Sequence, residues 1–552
     1  MRRSSISAVL ALAVVVTTPA GTAFARGAAP DGSRAPGAPR QAEDVQADFD
    51  GDGLEDVAIG VPGESVGSVV AAGAVNVLYG APAGLSGAGS QLFHQDVGDI
   101  GSTAEAGDGF GLALATGDFD GDGFADLAVG APGEAVGSAA EAGAVNVLFG
   151  SADGLTATGS QLITQATLGG GATSGAGELF GLALAAGDLD GDGVDDLAIG
   201  VPFGNALAGS VHVVFGAAGG LGAGRATASF HQDSPGLADT AEAFDEFGAA
   251  LAVGDFNRSG VADLAIGVPG ENVGTVTAAG GVHVLFGRTT GINGTSSQFF
   301  TQATPGVGSD PEDGDFFGAA LGAGDFDGGG FVDLAIGVPN ESVGSVPGAG
   351  ALNLLEGATG GLTTTGSQVL HQNVGDIGST AEPGDAFGWA FGTGDFDGDG
   401  LVDLAVGVPF ESVGTVPQAG AVNVIFGSAG VVTPVGTQLL HQDVTGVGST
   451  AEEFDTFGFA FAAGDVQGDG PDDLVVGVPF EAVGTAGSAG AVNAFTGGGR
   501  LSGGAVLHQD VAGIGSTAEP ADEFGFALAA PGHQVSGVST TTASASRVAP
   551  GG

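Results

Sequence analysis

The sequence predicts an all-β fold, a seven-bladed β-propeller of four-stranded antiparallel blades closed by the C-terminal Phe-Gly strand. Three observations carry this expectation. An acidic loop returns seven times, each repeat holds four short apolar runs of which none has helical length, and the two ends of the array are out of step.

The loop Asp-x-Asp-Gly-Asp-Gly-x-x-Asp starts at Asp48, Asp118, Asp188 and Asp395, with looser copies at Asp255, Asp325 and Asp465, so the steps are 70, 70, 67, 70, 70 and 70 residues. A Phe-Gly pair stands eight residues before six of these loops, at Phe110, Phe180, Phe247, Phe317, Phe387 and Phe457, and a Gly-x-Pro proline follows every loop, from Pro62 to Pro479. A period this long signals a repeat architecture and overrides any domain count made from length. In the unit from Phe110 to Glu178, the runs Phe110 to Ala115, Leu127 to Gly130, Ala144 to Phe149 and Gln161 to Thr164 read as strands. A β-solenoid would need much shorter coils, and seven independent domains would need linkers and larger cores.

The first loop lacks a preceding Phe-Gly strand, and the last pair, Phe524-Gly525, lacks a following loop. Each end supplies what the other lacks. Phe524 to Ala530 is expected to complete the first blade and leave no unpaired edge there.

The chain of 552 residues has a formal net charge of −54, no lysine and no cysteine. Such a surface repels nucleic acid and anionic lipid, and without cysteine there is neither a disulfide framework nor thiolate chemistry. Its 34 phenylalanines and 43% hydrophobic content set it apart from disordered acidic chains. Residues 1–25 read as a signal peptide, 26–43 as a flexible spacer, 44–530 as the propeller and 531–552 as a Ser/Thr/Ala-rich tail expected to be disordered. The mature chain is expected to lack a membrane span, to be secreted and extracellular, and to act as a monomer.

In the acidic loop, side chains at positions one, three, five and nine and the carbonyl of position seven can converge on one cation, with Gly at six permitting the turn. An all-oxygen shell suits calcium better than magnesium or zinc. Four sets are complete: Asp48, Asp50, Asp52, Leu54 and Asp56; Asp118, Asp120, Asp122, Phe124 and Asp126; Asp188, Asp190, Asp192, Val194 and Asp196; and Asp395, Asp397, Asp399, Leu401 and Asp403. Three are degenerate. The fourth loop has Asp255, Asn257, Ser259, Val261 and Asp263 with Arg258 among them; the fifth has Asp325, Asp327, Phe331 and Asp333 with Gly329 at position five; the seventh has Asp465, Asp469 and Asp473 with Gln467 and Pro471 as departures. Up to seven Ca2+ ions are expected, the four complete sites filling first.

Phe110-Gly111, the loop Asp118 to Asp126, Gly130-Ala-Pro132 and Gly143-Ala-Val-Asn-Val together resemble the FG-GAP repeat, the blade of integrin α-chain propellers and of many bacterial exported proteins. The resemblance runs from 44 to 530. It implies a seven-bladed propeller with calcium in the loops between each blade's first two strands. It does not imply integrin signalling, because legs, a transmembrane helix and an inserted ligand-binding domain have no counterpart here.

Strand parity puts the acidic loops on one face and the longer second-to-third and fourth-to-first connections on the other. That second face carries Glu64, Glu134, Glu271, Glu341, Glu411 and Glu481, whose recurrence favours a structural role, as does that of His94, His231, His371, His441 and His508. The third unit departs with Phe203-Gly-Asn-Ala-Leu-Ala, and Trp389 is the single tryptophan. No unique nucleophile stands beside a base, so the chain is not expected to be an enzyme. The expected role is an extracellular adhesion or recognition module for a protein or glycan. A structural envelope or matrix component is the alternative, and a hydrolase related to FG-GAP-bearing phospholipases a more remote one.

Overall fold

A computed structural model describes residues 47–169 and 173–530; the expected signal segment, spacer and tail lie outside the described residues. Seven four-stranded antiparallel sheets form the blades, six of them contiguous in sequence. The remaining blade joins Leu528–Ala529 to Val57–Val61, Ala74–Leu78 and Gln91–Phe93, with Ala58 opposite Ala529 and Ile59 opposite Leu528. The expected closure is therefore present. Among the described residues no helix is long and apolar enough to cross a membrane.

Each blade is a wedge. In blade 2 the first three strands, Ala113–Gly117, Asp126–Ala131 and Ala144–Phe149, are almost wholly buried, while the fourth, Thr156–Ile163, is mostly half-exposed. The inner strands are rich in Ala and Gly because neighbouring backbones nearly touch: a Cβ on Gly130 would lie 2.2 Å from the Gly181 carbonyl oxygen of the next blade. Large side chains fill the wider spaces instead. Phe49, Phe119, Phe256, Phe326 and Phe396, at position two of their loops, are fully buried plugs beneath the acidic turns, each stabilising the fold by about 1.5–3 kcal/mol.

The first strand of blade 2 starts at Ala113 and not at Phe110, because the Phe-Gly pair has another duty. The Phe110 amide donates to the Ala72 carbonyl of the preceding blade and Gly111 to Gly130 of its own. This stitch recurs at every junction, ending with Phe524 to Ala489 in the last blade and Gly525 to Gly60 in the first. Gly143, with φ 85°, must be glycine, since a Cβ there would meet the Phe180 carbonyl oxygen at 2.2 Å.

The recurring glutamates join blades. Gln95 donates to Glu134 of the next blade at 2.6 Å and to Ser102 at 3.2 Å; Gln232 with Glu271, Gln302 with Glu341, Gln372 with Glu411, Gln442 with Glu481 and Gln509 with Glu64 repeat the contact. Gly204 stands where the third blade would carry this glutamate, so that junction lacks the pair. Of the recurrent histidines, His94 and His371 serve local turns, their Nδ1 atoms accepting the amides of Asp96 at 3.3 Å and Asn373 at 3.2 Å, whereas Nδ1 of His231, His441 and His508 is buried without a hydrogen-bond partner.

Two outcomes are expected from this architecture. Removing 524–552 should cause aggregation or a melting loss of many degrees by opening a blade edge, whereas removing only 534–552 should leave the melt near that of the full chain; equal melts would refute closure by this strand. Separately, burial and then the charge of Asp385 raise the Glu411 carboxyl from 4.5 to about 8. The stability linked to that proton is complete below the ordinary carboxylate value and is lost as pH rises through about 8. At constant calcium, melting temperature should therefore fall between about pH 5 and pH 8, and Glu411→Gln should flatten part of that slope.

Candidate metal centre

The acidic turns are built by their own first carboxylate. Asp118 Oδ1 accepts the amides of Gly121 at 2.7 Å and Asp122 at 3.1 Å, and Oδ2 that of Gly123 at 3.0 Å. Asp188, Asp395 and Asp465 repeat this pattern. The carbonyl of the same residue accepts the position-eight amide of the next blade: Ala125 to Asp48, Asp195 to Asp118, Ala262 to Asp188, Val332 to Asp255, Val402 to Asp325, Asp472 to Asp395 and Glu55 to Asp465. The seven turns thus form a closed chain around the ring.

Position nine is a clasp as well as a candidate ligand. Asp126 Oδ2 accepts the Phe119 amide at 2.8 Å, and Oδ1 accepts Gly150, at the start of its blade's third-to-fourth connection, at 2.9 Å. The second contact recurs in all seven blades, from Asp56 with Gly80 to Asp473 with Gly497. Burial raises these carboxyls, to about 8 at Asp56, Asp196, Asp263 and Asp403 and to about 9 at Asp126. A bound cation would favour their charged form.

Five turns bring three carboxylates within 4.8 Å of one another: Asp48, Asp50 and Asp56; Asp118, Asp120 and Asp122; Asp188, Asp190 and Asp196; Asp325, Asp327 and Asp333; and Asp395, Asp397 and Asp399. The fifth turn, degenerate by sequence, groups its acids as the complete ones do. Gly329 costs it one side chain, but Asp325 Oδ1 is buried without a hydrogen-bond partner, and Glu356 is near enough for Asp327 to raise its carboxyl, after burial. The fourth and seventh turns are closed internally. Asn257 Nδ2 donates to Asp263 at 2.8 Å and Ser259 Oγ to the Val261 carbonyl at 3.2 Å; Gln467 Nε2 donates to Asp473 at 3.0 Å. Donors stand there where a cation needs acceptors. At position five, Asp52, Asp122, Asp192 and Asp399 accept the amides of Leu54, Phe124, Val194 and Leu401, which orients those position-seven residues.

Sequence reasoning missed position eight. Asp195 accepts the Asp118 amide of the preceding turn at 3.0 Å, and Asp472 accepts that of Asp395 at 2.8 Å. Burial raises Asp195 to about 7. Glu55 occupies the equivalent slot against the last turn, and burial, then Asp472 and Asp465, push its carboxyl well up. An acid directly before the last aspartate was the available signal.

The opposite face holds strained aromatic residues. Phe244 (φ 78°) and Phe454 (φ 74°) occupy the slot of Gly107, Gly314 and Gly384, and are 62% and 53% exposed. The third blade's shortened loop adjoins Phe244, whose amide donates to the Leu207 carbonyl at 2.6 Å, and Asn205, Ala206 and Leu207 all have positive φ. Trp389 lies instead in an aromatic cluster with Phe410 and Phe459, 6% exposed.

Five stretches, 45–78, 110–148, 180–214, 247–285 and 387–425, match the FG-GAP repeat. The chain is 34% identical over 116 residues to a phosphatidylinositol-glycan-specific phospholipase D of Bos taurus, covering 20% of this chain and 14% of that protein. It is 32% identical over 240 residues to integrin alpha-PS2 of Drosophila melanogaster, covering 41% and 15% respectively. With integrin alpha-5 of Xenopus laevis the identity is 30% over 249 residues, covering 43% and 20%. The matches thus span only a small part of each relative's length.

If the grouped turns are the cation sites, Asp120→Ala and Asp327→Ala should each lower bound calcium by about one ion per chain in equilibrium dialysis, at the millimolar affinities usual for extracellular modules. Asn257→Ala should leave the count unchanged. Seven equivalent sites would contradict this division.

Proposed function

From a chain that carries FG-GAP repeats on a seven-bladed propeller, we propose a secreted, calcium-stabilised recognition module that binds an extracellular protein or glycan through the face opposite its acidic turns. The observation that carries this reading is the pair Phe244 and Phe454. A left-handed backbone costs a non-glycine residue about 1–2 kcal/mol, and these two rings meet that cost while largely exposed, gaining little core contact. Strain without burial, at large rings in a slot that glycine fills in four blades and Ala521 in another, favours a binding role over packing.

Calcium supports the reading. The donor set is all oxygen, the acids are grouped with their position-nine carboxylates buried, and the free ion is abundant outside cells. The residues that would hold it are those of the five grouped turns. When bound, calcium would supply counter-charge to carboxylates whose turns are hydrogen-bonded around the ring, and so would fix the platform. The chain's own chemistry is then presentation: rigid blades, an acidic field that excludes nucleic acid, and aromatic contacts on the free face. A structural envelope component is the second reading, and neither it nor recognition involves catalysis.

The double variant Phe244→Gly, Phe454→Gly separates the two. It should melt at or above the wild-type temperature, because glycine relieves the strain, and should lose binding to protein or glycan arrays probed in millimolar calcium. Array binding that survives in the double variant, or wild-type chain that binds nothing on either array, would reject recognition through this face.

A further inference from the structure

The third acidic turn is complete in sequence, yet it is the one into which the chain inserts a cation of its own. Arg225 forms an ion pair with Asp190, the position-three residue of that turn. Asp190 is 2% exposed, and neither of its carboxylate oxygens has a hydrogen-bond partner, so this guanidinium is the recorded compensation for a buried charge. Leaving such a charge unpaired is strongly destabilising.

Arg225 is held for this position. It lies on the third blade's third-to-fourth connection, which parity places on the same face as the acidic turn, and Leu221 anchors that connection in the core. The Gly222 amide donates to the Phe215 carbonyl at 2.7 Å, and the guanidinium lies over the Phe215 ring at 4.5 Å. Across the junction, Gly291 leaves room, since a Cβ there would lie 3.1 Å from Arg225 Nη2. The other arginines among the described residues make no such ion pair with a turn, although the Arg500 charge is near enough to favour the charged form of Asp397 in the sixth. Arg288 and Arg500 donate to backbone carbonyls, and Arg258 lies over Phe331.

We infer that Arg225 is a tethered counter-ion that balances the third turn without metal, so that this turn takes calcium last among the turns that group their acids. The inference rests on the calcium reading for its competition and on the ion pair alone for its structural half. A divalent ion entering between Asp188, Asp190 and Asp196 would have to displace the guanidinium, and two cations at one carboxylate repel. The sequence-based order, in which four complete turns fill together, becomes an order in which the turns starting at Asp48, Asp118 and Asp395 precede the one at Asp188.

The test compares wild type, Arg225→Gln and Arg225→Lys. At about 1 mM free calcium, equilibrium dialysis should find about one more ion per chain in Arg225→Gln than in wild type, and the wild-type number in Arg225→Lys. In chelator, Arg225→Gln should melt several degrees below wild type, and added calcium should close the gap. An unchanged ion count in a folded Arg225→Gln would overturn the competition. Wild type that binds no calcium would reject the calcium reading alone; the structural half would then be supported by a lowered chelator melt of Arg225→Gln and overturned by equal melts.

Discussion

Everything in this ring hangs on hydrogen bonds between one blade and the next. On the acidic face the carbonyl of each turn's first aspartate accepts an amide from the following turn, and nearer the opposite face each Phe-Gly phenylalanine donates to the preceding blade. Both series have seven members and both include the seam. Because an unpaired buried backbone group costs about 1–3 kcal/mol, blades can neither slide nor tilt independently. The glycines at these contacts follow from the same constraint, as does the placement of bulky phenylalanines where the wedges diverge.

Electrostatics is the counterpart of that rigidity. Anchoring seven acidic turns to one another gathers carboxylates that would otherwise separate, and a chain of net charge −54 has few cations to offset them. The fourth and seventh turns meet the difficulty with amide donors and the third with Arg225, while the Arg500 charge favours the charged form of Asp397 in the sixth. Related sequences in one ring thus offset their carboxylates by different chemical means, amide donors in some turns and a guanidinium in another. The carboxyls at position nine show the strength of the crowding, since burial, with neighbouring aspartates adding to it, raises several to about 8.

Much of this was legible in the residues. Recurrence at fixed steps gave away blade number, strand number and the completing role of Phe524 to Ala530, because repeats and ring closure are properties of spacing. What escaped depends on conformation. That Phe110 stitches to the neighbouring blade and does not begin its own strand follows from a close approach that only coordinates reveal. Gly329 suggested a crippled fifth turn, but side-chain count misjudged it, since Asp325, Asp327 and Asp333 still converge. Arg225 lies 35 residues beyond Asp190 in sequence, and nothing in that separation announces an ion pair. The acids at position eight were visible and were passed over, because they fall between positions assigned to ligands.

The seam has a temporal meaning. Ile59 pairs with Leu528, so the first blade's innermost neighbour is among the last of the propeller's residues to be synthesised. Until it arrives, six blades can assemble while one edge stays open, and no order of events along the chain can shorten that wait. Contacts so distant in sequence close slowly. A polypeptide built this way stays incompletely folded throughout its own synthesis, and its finished form emerges as a single late event and not as a gradual accumulation of blades.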